Sequence, residues 1–477
     1  MIRKRQSLGI ATALISATLS VTAYAQDEPG YLHTGDTIIT GIRIIDGLGN
    51  EPVESQDLLI VDGKIAAIGA SGSIKAPSGV LEIDGTGHTA LPGLLDMHIH
   101  LQGSWAHGNI AGEEYAIRYD DEAIQQRLNG YLHAGVTTVF EMGGDHEFAL
   151  KNRERINDGT MTGPRFFTAG SPWSQVPSGW DGLDTGGGGS FNASVKVEDF
   201  NAIGPVLDQY KADGIEIIKL YTGLSHYAAK AISREAHARG IRTVADLWEL
   251  NLDKVFMEAT GLDGWAHSAG FEIVSKENHE WMAANDRFVV VTANVGEKLS
   301  GLRVADENGS KLQLREPLIV DIWGEDVVED FYSRYDELRH NLWEGPDSFY
   351  QQNGFGDMQR FRANFLANIK GSYDAGVLIA GGSDDSFPTL WPGESMHREM
   401  ELLAMAGIPA IDVIKIVTSN GAKILRRESE FGSLQVGLSA DLLIVEGNPA
   451  ENVSDSRQVR YVFLRGKQVD RDSLKFK

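Results

Sequence analysis

The strongest constraint on this chain is an alternation. Between residues 91 and 428, short apolar β-type runs take turns with helical patterns. The runs are 91–100, 136–141, 165–169, 215–221, 243–247, 264–268, 288–293 and 377–382. Tyr227–Arg239 is a representative helical stretch, closed by Gly240 at a C-cap position. Strands that alternate with helices must pair in parallel, because each return to the sheet needs a crossover. Eight such units predict an α/β fold, a closed (β/α)8 TIM barrel whose active groups stand at the carboxyl ends of the strands.

The two ends of the chain have another texture. Residues 36–46, 57–62 and 64–68 are short β-rich runs, with a hairpin signal at Asp62-Gly63. Runs 440–445, 460–464 and 466–469 repeat the pattern at the far end. Residues 31–90 and 429–477 are therefore expected to form one small β-sandwich domain around the 91–428 barrel. Two stretches interrupt the barrel rhythm. Gly186–Gly189 lacks the Lys-Ser/Thr of a phosphate loop and reads as linker or lid. Residues 294–356 form an acidic insert with Trp323, Trp343 and Tyr350 among its aromatics. It suits either a cover over the barrel mouth or a surface excursion that contacts another copy in a homo-oligomer.

Residues 1–25 read as a secretory signal peptide. Arg3, Lys4 and Arg5 precede an apolar stretch from Leu8 to Val21, and Ala23-Tyr24-Ala25 is a cleavage pattern before Gln26. The apolar core is short for a membrane anchor. The periplasm is the expected destination, with the medium as the alternative. The 477-residue chain has a net charge of −24, which argues against nucleic acid and anionic membrane as partners and favours cations. It has no cysteine, so thiolate catalysis and thiolate metal sites are excluded. Any metal must rest on histidine, carboxylate or something rarer.

Four segments carry polar groups at the expected strand ends. In Leu91-Pro-Gly-Leu-Leu-Asp-Met-His-Ile-His-Leu101, His98 and His100 are two apart, so both face one side of a strand and can reach one ion. In Gly214-Ile-Glu-Ile-Ile-Lys-Leu-Tyr221, Lys219 lies in a run that should be buried. It is either a lysine snorkelling from a strand end or one that is neutral, modified or paired with an anion. Tyr221 shares its face and is placed to touch substrate. His267 ends Trp265-Ala-His-Ser268, as a structural histidine or a ligand. Asp384, in Val377-Leu-Ile-Ala-Gly-Gly-Ser-Asp-Asp385, can bind metal, accept a proton, or cap the next helix. His397 opens a helix after the last strand and is expected to serve packing.

Together these segments resemble the amidohydrolase superfamily of metal-dependent hydrolases, over nearly the whole mature chain. Thr418-Ser-Asn-Gly-Ala-Lys-Ile-Leu425 and Gly432-Ser-Leu-Gln-Val-Gly-Leu-Ser-Ala-Asp-Leu442 resemble its C-terminal features. Ile-Lys-x-Tyr on the fourth strand is similar to the secreted imidazolonepropionase-like and prolidase-like branch. The resemblance implies that His98, His100 and Asp384 bind a first metal and His267 a second, with a carboxylated Lys219 bridging them. It also implies a histidine on the fifth strand. Gly240-Ile-Arg-Thr-Val-Ala-Asp-Leu-Trp248 has Asp246 there instead, which is taken as the replacing ligand. One or two zinc ions are expected, with manganese or iron as alternatives.

The implied reaction cleaves an amide, peptide or cyclic amide C–N bond of a small molecule. A metal-activated hydroxide attacks the carbonyl carbon, with Asp384 as general base. Two rivals stand beside it. A mononuclear deaminase-type hydrolase would use only the His98/His100/Asp384 metal. A non-catalytic binding protein would be a degenerate barrel, for which Asp246 is the best argument and Lys219 the best objection.

Overall fold

The computed structural model describes residues 28–101, 121–174, 195–197, 199–221, 223–246, 252–299, 316–333, 358–385 and 390–476. The signal segment 1–25, Gly186–Gly189, Trp248, Trp343 and Tyr350 lie outside the described residues. No helix among the described residues is long and apolar enough to cross a membrane.

Eight parallel strands carry the site. They are β1 (Leu94–Ile99), β2 (Val136–Glu141), β3 (Arg165–Thr168), β4 (Ile217–Leu220), β5 (Arg242–Ala245), β6 (Gly264–Trp265), β7 (Phe288–Val290) and β8 (Leu378–Ala380). Each falls within or overlaps one of the apolar runs of the sequence. The strands β1, β2 and β3 pair in that order. The strands β4 to β8 pair in theirs. Between the two groups the short strand Trp173–Ser174 pairs with β4, and the Trp173 carbonyl accepts from the Tyr221 amide. At the other side, Met97 donates to the Gly381 carbonyl and Ile99 bridges Asp385 in parallel, so β1 meets the end of β8. Leu95, Met97, Phe140, Ile217, Val244, Ala266, Val290 and Ala380 form one apolar cluster drawn from seven of these strands or their ends. Their alternate neighbours, such as Leu94, Val139 and Ile218, pack outward in the main core.

Helices cover that outer face. His226–Ala238 is capped by the Ser225 hydroxyl, which accepts from the Ala228 amide, and ends where Gly240 takes a left-handed turn at φ +72°. Serine at the start and glycine just past the end meet the needs of the unpaired terminal groups.

Both chain ends enter one nine-stranded sheet. His88–Pro92 from the N-terminal part pairs antiparallel with Leu442–Glu446 from the C-terminal part. The hairpin Val53–Val61/Lys64–Ala70 turns at Asp62 (φ +50°) and Gly63 (φ +75°). Two left-handed residues in sequence suit the twist of a tight hairpin. Gly93 then passes the chain from this sheet into β1. A Cβ there would lie 2.1 Å from the Thr137 hydroxyl oxygen, so no larger residue fits.

Within the insert, residues 294–299 belong to the helix Ala293–Leu299, and Pro317–Trp323 and Glu325–Ser333 are two further helices. The Pro317–Trp323 helix buries Leu318, Ile319, Ile322 and Trp323 beside Ala134 and Trp391. The C-terminal tail holds it down: Phe476 donates to the Ile322 carbonyl, and Lys475 pairs with Asp321 at 2.8 Å. Ala134 lies ahead of the start of β2, so this portion of the insert docks at the amino end of that strand.

Candidate metal centre

The alternation of a strand puts His98 and His100 on one face, and both are buried. Each ring is oriented from behind by a backbone carbonyl. His98 Nδ1 lies 2.9 Å from the Ala266 oxygen, and His100 Nδ1 lies 2.7 Å from the Gly143 oxygen. A carbonyl only accepts, so each ring carries its proton on Nδ1. Both Nε2 atoms are then lone-pair acceptors, 3.2 Å apart. Asp384 Oδ1 faces the same point, 3.3 Å from His98 Nε2 and 3.4 Å from His100 Nε2. With both rings neutral, three electron-rich atoms converge on one point, an arrangement that suits a cation.

Burial holds the His98 imidazole well below its ordinary pKa. The His100 imidazole goes the other way. Burial opposes it, but hydrogen bonds to Asp384 and Glu141 raise it to about 9. A cation is thus favoured where His100 faces Asp384, either a proton on His100 Nε2 or a metal ion in its place.

His267 comes to the same place from the end of β6. Its ring stacks on that of His98, centroids 4.6 Å apart. Its Nδ1 lies 2.8 Å from Thr292 Oγ1 and its Nε2 3.4 Å from Asp246 Oδ2. His98, His267 and Asp384 form a metal-capable group whose ligand atoms all lie within 4.8 Å of one another. Lys219, on β4, pairs with Asp246 Oδ2 at 2.8 Å, and both are buried. Lys219 and His267 together hold the Asp246 carboxyl far below its usual range, although burial pushes the other way. Asp246 Oδ1 is buried with no hydrogen-bond partner among the described residues. A buried acceptor without a donor costs stability unless something fills its lone pairs. The donor set fits one or two divalent ions: three imidazole nitrogens, two carboxylates and a lysine able to carry a carbamate. The Lys219 ammonium also lies 5.1 Å from the centre of the Tyr221 ring, so Tyr221 borders the same space.

The close packing at the β8 end depends on glycine. A Cβ on Gly382 would lie 2.7 Å from the His98 Cβ. Asp384 itself has φ +53°, a left-handed conformation unusual outside glycine. Its amide donates to the His98 carbonyl at 2.7 Å, which holds the turn against β1.

The structure thus gathers all six proposed metal-site residues and Tyr221 in one region. Residues that sequence reasoning passed over support them. Asp96 accepts from Ser383 Oγ at 2.6 Å and from the Ser383 amide at 2.9 Å, tying β1 to the β8 end. Glu141 Oε2 accepts from the Leu101 amide at 2.6 Å, and its Oε1 lies 3.4 Å from His100 Nδ1. Tyr131 donates to the Asp385 carboxylate at 2.5 Å. A signal for Glu141 existed: like Asp384, it is a carboxylate that ends an apolar strand run. His397 is held elsewhere, between Ser456 Oγ and the Ala134 carbonyl, both at 2.8 Å, in keeping with a packing role.

Comparison with known proteins agrees with this geometry. The Amidohydrolase family matches residues 357–469. Ochratoxinase from Aspergillus niger is 24% identical over 467 residues, which cover 94% of this chain and 90% of the relative. Enamidase from Eubacterium barkeri is 37% identical over 112 residues, 23% of this chain and 26% of the relative. The crystal structure of A. niger ochratoxinase superposes with a TM-score of 0.64 at 18% identity, covering 93% of this chain and 96% of that one. A Xaa-Pro dipeptidase with methionine bound in its active site gives 0.66 at 22% identity, covering 91% and 99%. The chain has the α/β fold of these neighbours.

Proposed function

We infer that this chain, a member of the amidohydrolase superfamily by its family match and its full-length relatives, hydrolyses an amide, peptide or cyclic amide C–N bond in a small molecule. The observation that carries the reading is the convergence of His98 Nε2, His100 Nε2 and Asp384 Oδ1 on one point, with His267 beside them. The names of the relatives point the same way: a dipeptidase, an enamidase and an ochratoxinase. In this reading the eight parallel strands are a closed (β/α)8 barrel, and the nine-stranded sheet belongs to a β-sandwich domain of residues 31–90 and 429–477. The barrel spans 91–428 with its 294–356 insert.

His98, His100 and Asp384 would hold one divalent ion. His267, Asp246 and a carboxylated Lys219 would hold a second, with the carbamate between them. Zinc suits the imidazole-rich set, and manganese or iron suits its carboxylates. Bound there, a divalent metal would supply an acidified water and polarise a carbonyl oxygen. The chain's own part is proton traffic and placement. Asp384 takes the proton from the attacking water as the C–O bond forms. It returns that proton to the nitrogen as the C–N bond breaks, so the leaving amine departs neutral. Burial excludes bulk water from this exchange. Tyr221, beside Lys219, borders the space where substrate would lie.

A second reading has one observation behind it. Lys219 and Asp246 satisfy each other at 2.8 Å, and while that pair stands only the His98/His100/Asp384 position is open to metal. Residues 1–25 support export across an inner membrane to the periplasm. The test is zinc per chain beside turnover of a panel of N-acyl amino acids, dipeptides and cyclic amides. Two zinc ions with C–N cleavage support the main reading. One zinc ion, unchanged when Lys219 is replaced, supports the mononuclear one. No zinc and no turnover would overturn both.

A further inference from the structure

The helix Glu394–Met405 follows β8, and its Glu399 is fully buried at 0% exposure. Among the described residues its two oxygens pair with amides and with no side-chain cation. They accept from the Ala293 amide at 2.7 Å, the Asn294 amide at 2.9 Å and the Asn294 side-chain amide at 2.9 Å. These donors begin the helix Ala293–Leu299, at the carboxyl end of β7. Asn294 also donates to the Ser395 carbonyl at 2.8 Å, so the turn is bound to the helix at two points. The residue just ahead of these amides is Thr292. It is buried, has φ +43°, and places its Oγ1 2.8 Å from His267 Nδ1. A β-branched residue adopts a left-handed backbone only where its surroundings impose it. The carboxylate that clamps the next two amides is the group on hand to do so.

We propose that Glu399 is a positioning residue for His267: by gripping the 293–294 amides it holds Thr292 in its left-handed turn, which aims the His267 imidazole at the metal centre. A His267 that offers Nε2 to a cation must carry its proton on Nδ1 and donate it to Thr292 Oγ1. If the turn relaxes, that acceptor moves and the ring loses its bearing. The same carboxylate side chain packs along Gly381, since a Cβ there would lie 3.5 Å from the Glu399 Cγ. Glu399 therefore couples the strand that leads to Asp384 with the turn that supports His267.

This inference rests on the metal-centre reading, and its test separates the two. Glu399→Gln keeps the shape but turns an amide NH2 toward backbone amides. Thr292→Val removes the acceptor and keeps the branched shape, whereas Thr292→Ser retains the hydroxyl. Zinc affinity is measured beside His267→Ala. Glu399→Gln and Thr292→Val are expected to lose zinc affinity about tenfold or more, in the direction of His267→Ala. Thr292→Ser is expected to stay near the parent. In metal-free protein, the ring 15N shifts of His267 should move in Glu399→Gln while those of His100 do not. Parent-like zinc affinity in both Glu399→Gln and Thr292→Val, with unmoved His267 shifts, would overturn the inference and leave the metal centre standing. A parent that binds no zinc would sink the metal-centre reading, and the ring shifts would still decide the role of Glu399.

Discussion

The two halves of the site solve the problem of buried charge differently. At the β1–β8 half, His98 and His100 are oriented by backbone carbonyls, and their inward nitrogens meet the Asp384 carboxylate. At the β4–β6 half, Lys219 supplies a cation to Asp246, and His267 is held by a side-chain hydroxyl. The first half draws two imidazoles and a carboxylate around one point. The second is already balanced while Lys219 remains an ammonium. The difference teaches where control would lie: on the proposed reading the first half would load an ion directly, and the second would first need its lysine to change state. Conversion of Lys219 to a carbamate would do so, by turning a cation into an anion.

Predictions that strike at this contrast differ in size. The largest effect is expected from Asp384→Asn, which keeps the side-chain volume but removes the proton acceptor. Turnover should fall by about 10²–10⁴-fold in steady-state assays, with an unaltered circular dichroism spectrum. Full activity would remove Asp384 from the chemistry.

The next breaks the balanced half. Asp246→Asn leaves the buried Lys219 ammonium without its counter-charge, at a cost of about 3–5 kcal/mol in chemical denaturation. The first half should keep its ion. A stable variant that has lost all metal would mean that the two halves are not separable.

A third uses a buried histidine outside the site as the control. Burial lowers the His397 pKa to about 4 from an ordinary value of 6.5. The folded state keeps this ring neutral while the unfolded chain protonates it near 6.5. Its contribution is therefore fully present above that pH and is lost as pH falls toward 4, by about 3 kcal/mol over the window. Replacing His397 with glutamine should flatten the acid limb of the stability profile to that extent, with or without added zinc. An acid limb that depended on zinc would assign it to His98, His100 and His267 instead.

The smallest is expected from Glu141→Gln. It weakens the clamp on Leu101 and His100 in the first half. Zinc affinity there should fall about 10-fold, read by competition with a chelating dye. The Lys219–Asp246 half should be untouched.

Much of this molecule is readable without coordinates. The eight strand runs, the hairpin at Asp62-Gly63 and the pairing of two β-rich ends all follow from periodicity and turn chemistry, which are local. His98 and His100 are legible because a spacing of two on a strand is itself a geometric statement. Asp384, His267 and Lys219 are legible once the strands are parallel, since their carboxyl ends must then lie together. Glu141 was within reach of the same rule. Asp96, Thr292 and Glu399 were not, because each acts through a hydrogen bond to a group far away in the sequence, which leaves no trace in spacing. The docking of residues 316–333 beside Ala134 and the C-terminal tail was equally hidden.

By itself, then, the order of residues determined which side chains stand at the strand ends and which chemistry they can offer. Periodicity sets the direction of each side chain, and parallel pairing brings the ends together. Only the tertiary structure decided how those groups are charged and aimed. That depends on distances of about 3 Å between atoms far apart in the chain: Ala266 and Gly143 carbonyls behind two histidines, Lys219 against Asp246, and Glu399 behind Thr292. Electrostatic and hydrogen-bond energies change steeply over such distances, so the fold assembles the donor set and its packing tunes it.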